Sequence, residues 1–221
     1  MTQSGSEVTM ENEAHCAGDV WARGLICLIF MVTLAGCALT EQKVRASAYD
    51  FGSGGLVAAP APAAAQALPA LALGDVQTSQ ALDSLAVLYR LDYADAQQLR
   101  PYAHARWSAP PAQLVRQRLS QVLSRDRAVV NANESTVPLV LRVELEEFSQ
   151  RFTSPAQSSG VIRLRVTLTR ITPAGERPVA QRSVVVQRPA PSLDAPGGVQ
   201  ALAAATDAAA QEIAQWLAPL R

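Results

Sequence analysis

Few residues in this 221-residue chain combine type and spacing in a way that supports covalent chemistry. Cys37 closes the apolar run LIFMVTLAGC, and its thiol is the strongest nucleophile available there. His104 is the only histidine after it, and a general base needs a nucleophile and an acid to work with. No G-x-S-x-G serine accompanies it, so a hydrogen-bonded structural or surface histidine is the better reading. Asp92 and Asp95 flank Tyr93 with too few oxygens for a calcium loop, and fit a solvated turn. Glu144 and Glu146 stand at i and i+2. On a strand that puts them side by side on one face, which suits a solvated sheet better than the two flanks of a scissile bond. No metal site is expected, and a catalytic role is not; a periplasmic hydrolase lacks its nucleophile and metal constellation.

Cys37 is therefore read through its neighbours. Arg23 precedes an apolar stretch over residues 24–33, and Leu34-Ala35-Gly36 lead into the cysteine. A basic flank, a short apolar core and small residues at the cut make a secretory signal peptide. A transmembrane helix needs about 20 apolar residues, more than this run supplies. The ending L-A-G-C resembles the bacterial lipobox, in which the thiol takes diacylglycerol, the Gly36–Cys37 bond is cut and the new amine is acylated. Residues 1–20 carry Glu7, Glu11, Glu13 and Asp19 but no basic residue, which suits a translation start near Val20. Cys16 and Cys27 leave with the leader, so the mature chain has no thiol for a disulfide, a metal or catalysis. Ala38 follows in place of the aspartate that bacterial sorting reads as inner-membrane retention. A Gram-negative outer membrane, on its periplasmic face, is the expected location.

The mature portion holds 185 of the 221 residues, with 18 of the 19 basic side chains and 15 of the 19 acidic ones. That size allows one domain and a tether. The positive charge is spread along the chain, Lys43 being its only lysine, and no concentrated basic face for nucleic acid is present. Three regions are expected: a leader over 1–36, a lipidated Pro/Ala-rich tether over 37–67, and a folded domain over 68–221. Residues 52–67 are too poor in large apolar side chains to fold alone.

The elements follow from hydrophobic period. LPALALGDVQ and DSLAVLYRLD read as strands, while DAQQLRPYAHARW is interrupted by Pro101. SAPPAQLVRQRLSQVLSR reads as a helix, with Ser108 as its candidate N-cap and Val115, Leu119, Val122 and Leu123 on one face. In PLVLRVELEEF, Leu139, Leu141, Val143 and Leu145 alternate with Arg142, Glu144 and Glu146, and a bulge is expected near Glu147. VIRLRVTLTRI alternates likewise, with Arg163 and Arg165 facing out, and PVAQRSVVVQR forms the third strand. The last segment places Leu202, Thr206, Ala209, Ile213, Trp216 and Leu220 on one helical stripe. The expected fold is α+β: a mostly antiparallel sheet with two helices packed on one face.

The ordered set of Cys37, Tyr49-Asp50-Phe51, LAVLYR, RWSAPPAQLVRQRL, LRVELEEF and the closing IAQWL resembles the ABC-type transport auxiliary lipoproteins. That family includes the lipoprotein of the paraquat-inducible intermembrane transport system. The resemblance implies a non-enzymatic lipoprotein without a cofactor beyond the lipids on Cys37. Its partners would be a permease, an ATPase and a periplasmic MCE-type lipid-binding protein. This chain would then be the outer-membrane docking end of an intermembrane lipid transport system. The rival reading is an assembly factor or activator for an outer-membrane or cell-wall partner. Trp107 and the Arg163/Arg165 face are the candidate partner contacts. For Trp107 the alternative is a staple holding the helix start to the core, and for the arginines a solvated strand.

Overall fold

Three long strands, each alternating apolar and polar residues, give the molecule its main sheet. The computed structural model describes residues 45–52, 68–134 and 136–220. Strands β1 (Ser47–Tyr49), β2 (Leu68–Thr78), β3 (Ala86–Leu91), β4 (Ala96–Trp107) and β5 (Arg127–Asn131) precede β6 (Leu139–Ser154), β7 (Gln157–Thr172) and β8 (Gly175–Pro189). Helix α1 (Asp92–Asp95) is one turn, α2 is Pro111–Leu123 and α3 is Ala195–Leu217. All of these belong to the compact unit running from Arg45 to Arg221. Strand β1 and the residues on either side of it, 45–52, belong to this unit. The leader, Gly36, Cys37 and residues 53–67 fall outside the described residues.

The β6–β7–β8 meander is antiparallel, as its alternation predicts. Leu141, Leu145, Ile162, Leu164, Val166 and Val184 are all within 2 % of complete burial. Each such side chain contributes about 1.5–3 kcal/mol. The bulge expected near Glu147 occurs between Leu145 and Glu147.

The sheet as a whole is mixed, which corrects the expectation of a mostly antiparallel one. Four of its seven strand pairings among the described residues are parallel: β1 with β4, β2 with β5, β2 with β6, and β3 with β6. The bulge in β6 helps explain this. Before it, β2 runs parallel along Val140–Leu145; after it, β3 runs parallel along Gln150–Phe152. Two successive strands share one edge of a third, and both point the same way. Alternation of side chains says nothing about strand direction, so this order was not readable from period alone.

Helix α3 lies on the apolar face of β7, β8 and β6, and α2 beside it covers β2. Ala201, Ala205 and Ala209 are at most 2 % exposed and let α3 approach closely. Gly160 on β7 is part of the same fit, since a Cβ there would sit 2.5 Å from the Leu202 amide nitrogen. Leu202, Thr206, Ala209 and Ile213 are buried as their spacing predicts, while Trp216 and Leu220 are partly buried against the core. Helix α2 starts at Pro111, with Pro110 at the N-cap and no side-chain cap. Ser108 instead donates its amide to the Tyr49 carbonyl, 2.7 Å away. With φ fixed by proline, the helix needs no serine cap to start.

Candidate functional site

The residues singled out for chemistry scatter over the surface. His104 is exposed on β4. Asp92 pairs with Arg151 at 2.8 Å, and Asp95 accepts the Gln97 amide at 2.9 Å, so both are engaged in local structure. Glu144 and Glu146 both pair with Arg165 across the strand, the former at 3.4 Å. Among the described residues, no group of three or more His, Cys, Asp or Glu side chains stands close enough to hold one metal ion.

Three arrangements remain. The first is the solvated face of the meander. Arg163 and Arg165 are exposed there, opposite Glu147 and Glu144 in register. Glu147 is held by Arg90 at 3.5 Å and by the Ser149 hydroxyl at 2.5 Å. Arg142 pairs with Glu176 at 2.7 Å farther along the same face. Each exposed pair is worth about 0.2–1 kcal/mol, so the ladder organises charge more than it stabilises the fold. Arg163 forms no ion pair among the described residues and is the cation this face can offer outward.

The second joins the segment after β1 to the two long helices. Trp107 is 1 % exposed, with its ring 5.6 Å from Phe51 in a T-shaped contact and 5.5 Å from Phe148. Its ring is therefore a structural staple, with no free surface for a partner. Phe51 also lies 6.0 Å from Phe148, and the Arg118 guanidinium stands 6.0 Å over the Phe51 ring. Arg118, 5 % exposed on α2, donates to the carbonyls of Phe51 (2.9 Å) and Gly52 (3.3 Å). It also meets Asp207 of α3 at 3.2 Å. Burial pushes the Asp207 carboxyl up, against the opposing pull of Arg118 and Arg125. A buried arginine thus clamps the backbone at residues 51–52 to α2 and α3. Sequence reading missed this role because nothing in its helical position distinguishes Arg118 from Arg116.

The third is a polar cluster contributed by β4, β6 and β7. The Tyr102 hydroxyl donates to Gln150 Oε1 at 2.7 Å, and Gln150 Nε2 donates to the Ser158 hydroxyl at 2.8 Å. Burial holds the Tyr102 phenol far above its ordinary range, with Tyr89 and Asp194 adding to the effect. Beyond Ser158 an open cavity of about 340 Å³ is lined by Thr153, Gln157, Ser159, Gln187 and Leu193 among others. Tyr102 and Gln150 satisfy each other and bridge β4 to β6, as buried polar groups must.

A family model described as "ABC-type transport auxiliary lipoprotein component" matches residues 55–214. The chain belongs to that family. As an ABC-type transport auxiliary lipoprotein component, it shares its fold with several solved proteins. XCC0632 of Xanthomonas campestris, a DUF330 protein, is 20 % identical with a TM-score of 0.60, over 70 % of this chain and 88 % of that one. An uncharacterized protein is 17 % identical with a TM-score of 0.58, over 79 % and 99 %. The hypothetical protein CT253 of Chlamydia trachomatis is 10 % identical with a TM-score of 0.50, over 68 % and 96 %. At these identities the likeness is one of fold. No curated protein matches the chain. No helix among the described residues of this auxiliary lipoprotein is long and apolar enough to cross a membrane.

Proposed function

We propose that this protein is a non-enzymatic lipoprotein held at the periplasmic face of the outer membrane by acyl chains on Cys37. There it docks an ABC transport system that moves lipids between membranes. The partner in direct contact is a periplasmic MCE-domain protein, which links this end to the permease and ATPase. Membership in the ABC-type auxiliary family over residues 55–214 is the observation that carries the reading. The L-A-G-C sequence before a mature chain without other cysteines supports the anchor. Each buried methylene of an acyl chain adds about 0.8 kcal/mol, and several chains on one residue hold firmly where one does not.

The docking surface is the solvated face of β6–β8, with Arg163 as its outward cation. The test is a pull-down through a C-terminal tag from gently solubilised envelopes, with partners identified by mass spectrometry. The wild type is expected to recover an MCE-domain protein with its permease or ATPase. Arg163→Glu together with Arg165→Glu is expected to lose that partner while remaining folded and acylated. Unchanged recovery would remove the sheet face from the proposal. Recovery of only a cell-wall synthase or an outer-membrane barrel would remove lipid transport.

A further inference from the structure

The hairpin that joins β7 to β8 carries a charge arrangement that the fold does not need. Arg170 and Arg177 are register partners across the two strands, so their side chains leave the sheet on the same face, next to each other. Like charges placed opposite one another weaken a strand pair, whereas an anion lying against both guanidinium groups turns the arrangement into an attractive one. The hairpin offers no such anion of its own. Glu176 is the only carboxylate over residues 170–179, and Arg142 donates to both of its oxygens, at 2.7 and 2.9 Å. Arg177 is exposed and forms no ion pair among the described residues.

The turn beyond these arginines is apolar and stands clear of the rest of the sheet. Thr172 pairs with Gly175, which leaves Pro173 and Ala174 at the tip, both exposed. Gly175, at φ +111°, returns the chain, and the Thr172 hydroxyl donates to its carbonyl at 2.8 Å. Ile171 and Val179, each 40 % exposed, stand behind the turn. The Ile171 amide donates to the Pro138 carbonyl at 2.7 Å, and past that bond residues 172–175 pair only within the hairpin. A Cβ built on Gly175 would meet nothing within 4 Å.

From this we infer that the β7–β8 tip is a contact for an anionic phospholipid surface. Pro173, Ala174 and Ile171 enter the headgroup layer, and Arg170 and Arg177 take lipid phosphates. A free phosphate would satisfy the arginines and leave the apolar turn in water; a bilayer interface satisfies both. The contact is separate from the docking surface proposed above, because Ile171 lies eight residues, or about 26 Å, beyond Arg163 along β7. It follows from the hairpin alone and does not rest on the acyl anchor.

The test uses the full chain reconstituted into vesicles of phosphatidylethanolamine with or without phosphatidylglycerol. Photoreactive benzoylphenylalanine replaces either Ala174 at the tip or Ser183 in β8, both exposed, and phospholipid adducts formed on irradiation are measured by mass spectrometry. Position 174 is expected to give several-fold more adduct than position 183, and more with phosphatidylglycerol than without it. Arg177→Gln is expected to lower the yield at 174 several-fold, and Arg170→Gln added to it to lower the yield further. The comparison of the two vesicle compositions leaves both arginines in place and so reads the contact at no cost to folding. Equal yields at 174 and 183 would overturn the inference. So would a yield at 174 that ignores both phosphatidylglycerol and Arg177→Gln. If irradiation in native envelopes gives protein adducts at 174 in place of lipid, the tip belongs to a protein interface and the inference fails.

Discussion

Two side chains show how local chemistry is divided between stability and surface in this molecule. Trp107 meets Phe51 and Phe148 at ring distances of 5.6 and 5.5 Å, and almost none of it reaches solvent. Trp107→Ala is expected to cost about 3–5 kcal/mol, read as a lower urea midpoint at unchanged slope. Asp194 is the N-cap of α3, accepting the Gly197 amide at 2.9 Å and the Ser192 hydroxyl at 2.5 Å. The Ser192 hydroxyl foremost, and the Gly197 amide with it, hold its carboxyl below the ordinary range. A carboxyl with a depressed folded-state pKa stabilises above its unfolded value and loses that contribution as pH falls through the folded one. Asp194→Ala is therefore expected to lower the melting temperature at pH 7, with the gap from wild type closing as the pH is brought down to about 2. Thermal melts across that range would check it, and Asp194→Asn should retain most of the cap.

At the scale of elements, close approach matters more than any one contact. Gly160 faces the Ala201–Leu202 backbone of α3, and a methyl there has nowhere to go. Gly160→Ala is expected to cost about 1–3 kcal/mol by overpacking, measured by denaturant unfolding. The meander, its solvated face, the bulge near Glu147 and the buried stripe of α3 were all legible from the sequence, because period and burial coincide in those segments. The β4 strand was not, since Pro101 and the exposed Gln97, Gln98 and His104 hide its pairing. The parallel placement of β2 and β3 was not legible either. Leu71, Leu73 and Val87 announce burial, but their side-chain pattern would be the same for either strand direction. For the candidate surface, Arg163 and Arg165 were found because they alternate with Leu164 and Val166. Arg118 escaped notice because burial of a guanidinium among carbonyls leaves no periodic trace.

For the molecule as a whole, the compact unit begins at Arg45 and includes the aromatic contact made by Phe51. A protein starting at Leu68 is expected to fold with lower stability. Phe51 is partly buried, so its loss removes a part of the roughly 1.5–3 kcal/mol that full burial of a phenylalanine contributes. Comparison of its urea midpoint with that of a chain starting at Arg45 would check this, and equal midpoints would show that β1 and Phe51 contribute nothing.

Strand β6 has a consequence for the order in which the molecule can be made. It holds β2 along its first half, β3 along its second and β7 along its other edge. A chain emerging N-terminus first carries β2 and β3 without their shared neighbour until residues 139–154 have appeared. The apolar faces of β6, β7 and β8 wait longer still for α3, the last helix in the sequence. Partners so far apart along the chain close slowly, because loop entropy is spent before the pairing returns it. The complete sheet with both long helices on it can therefore close only once the C-terminal third of the polypeptide is available.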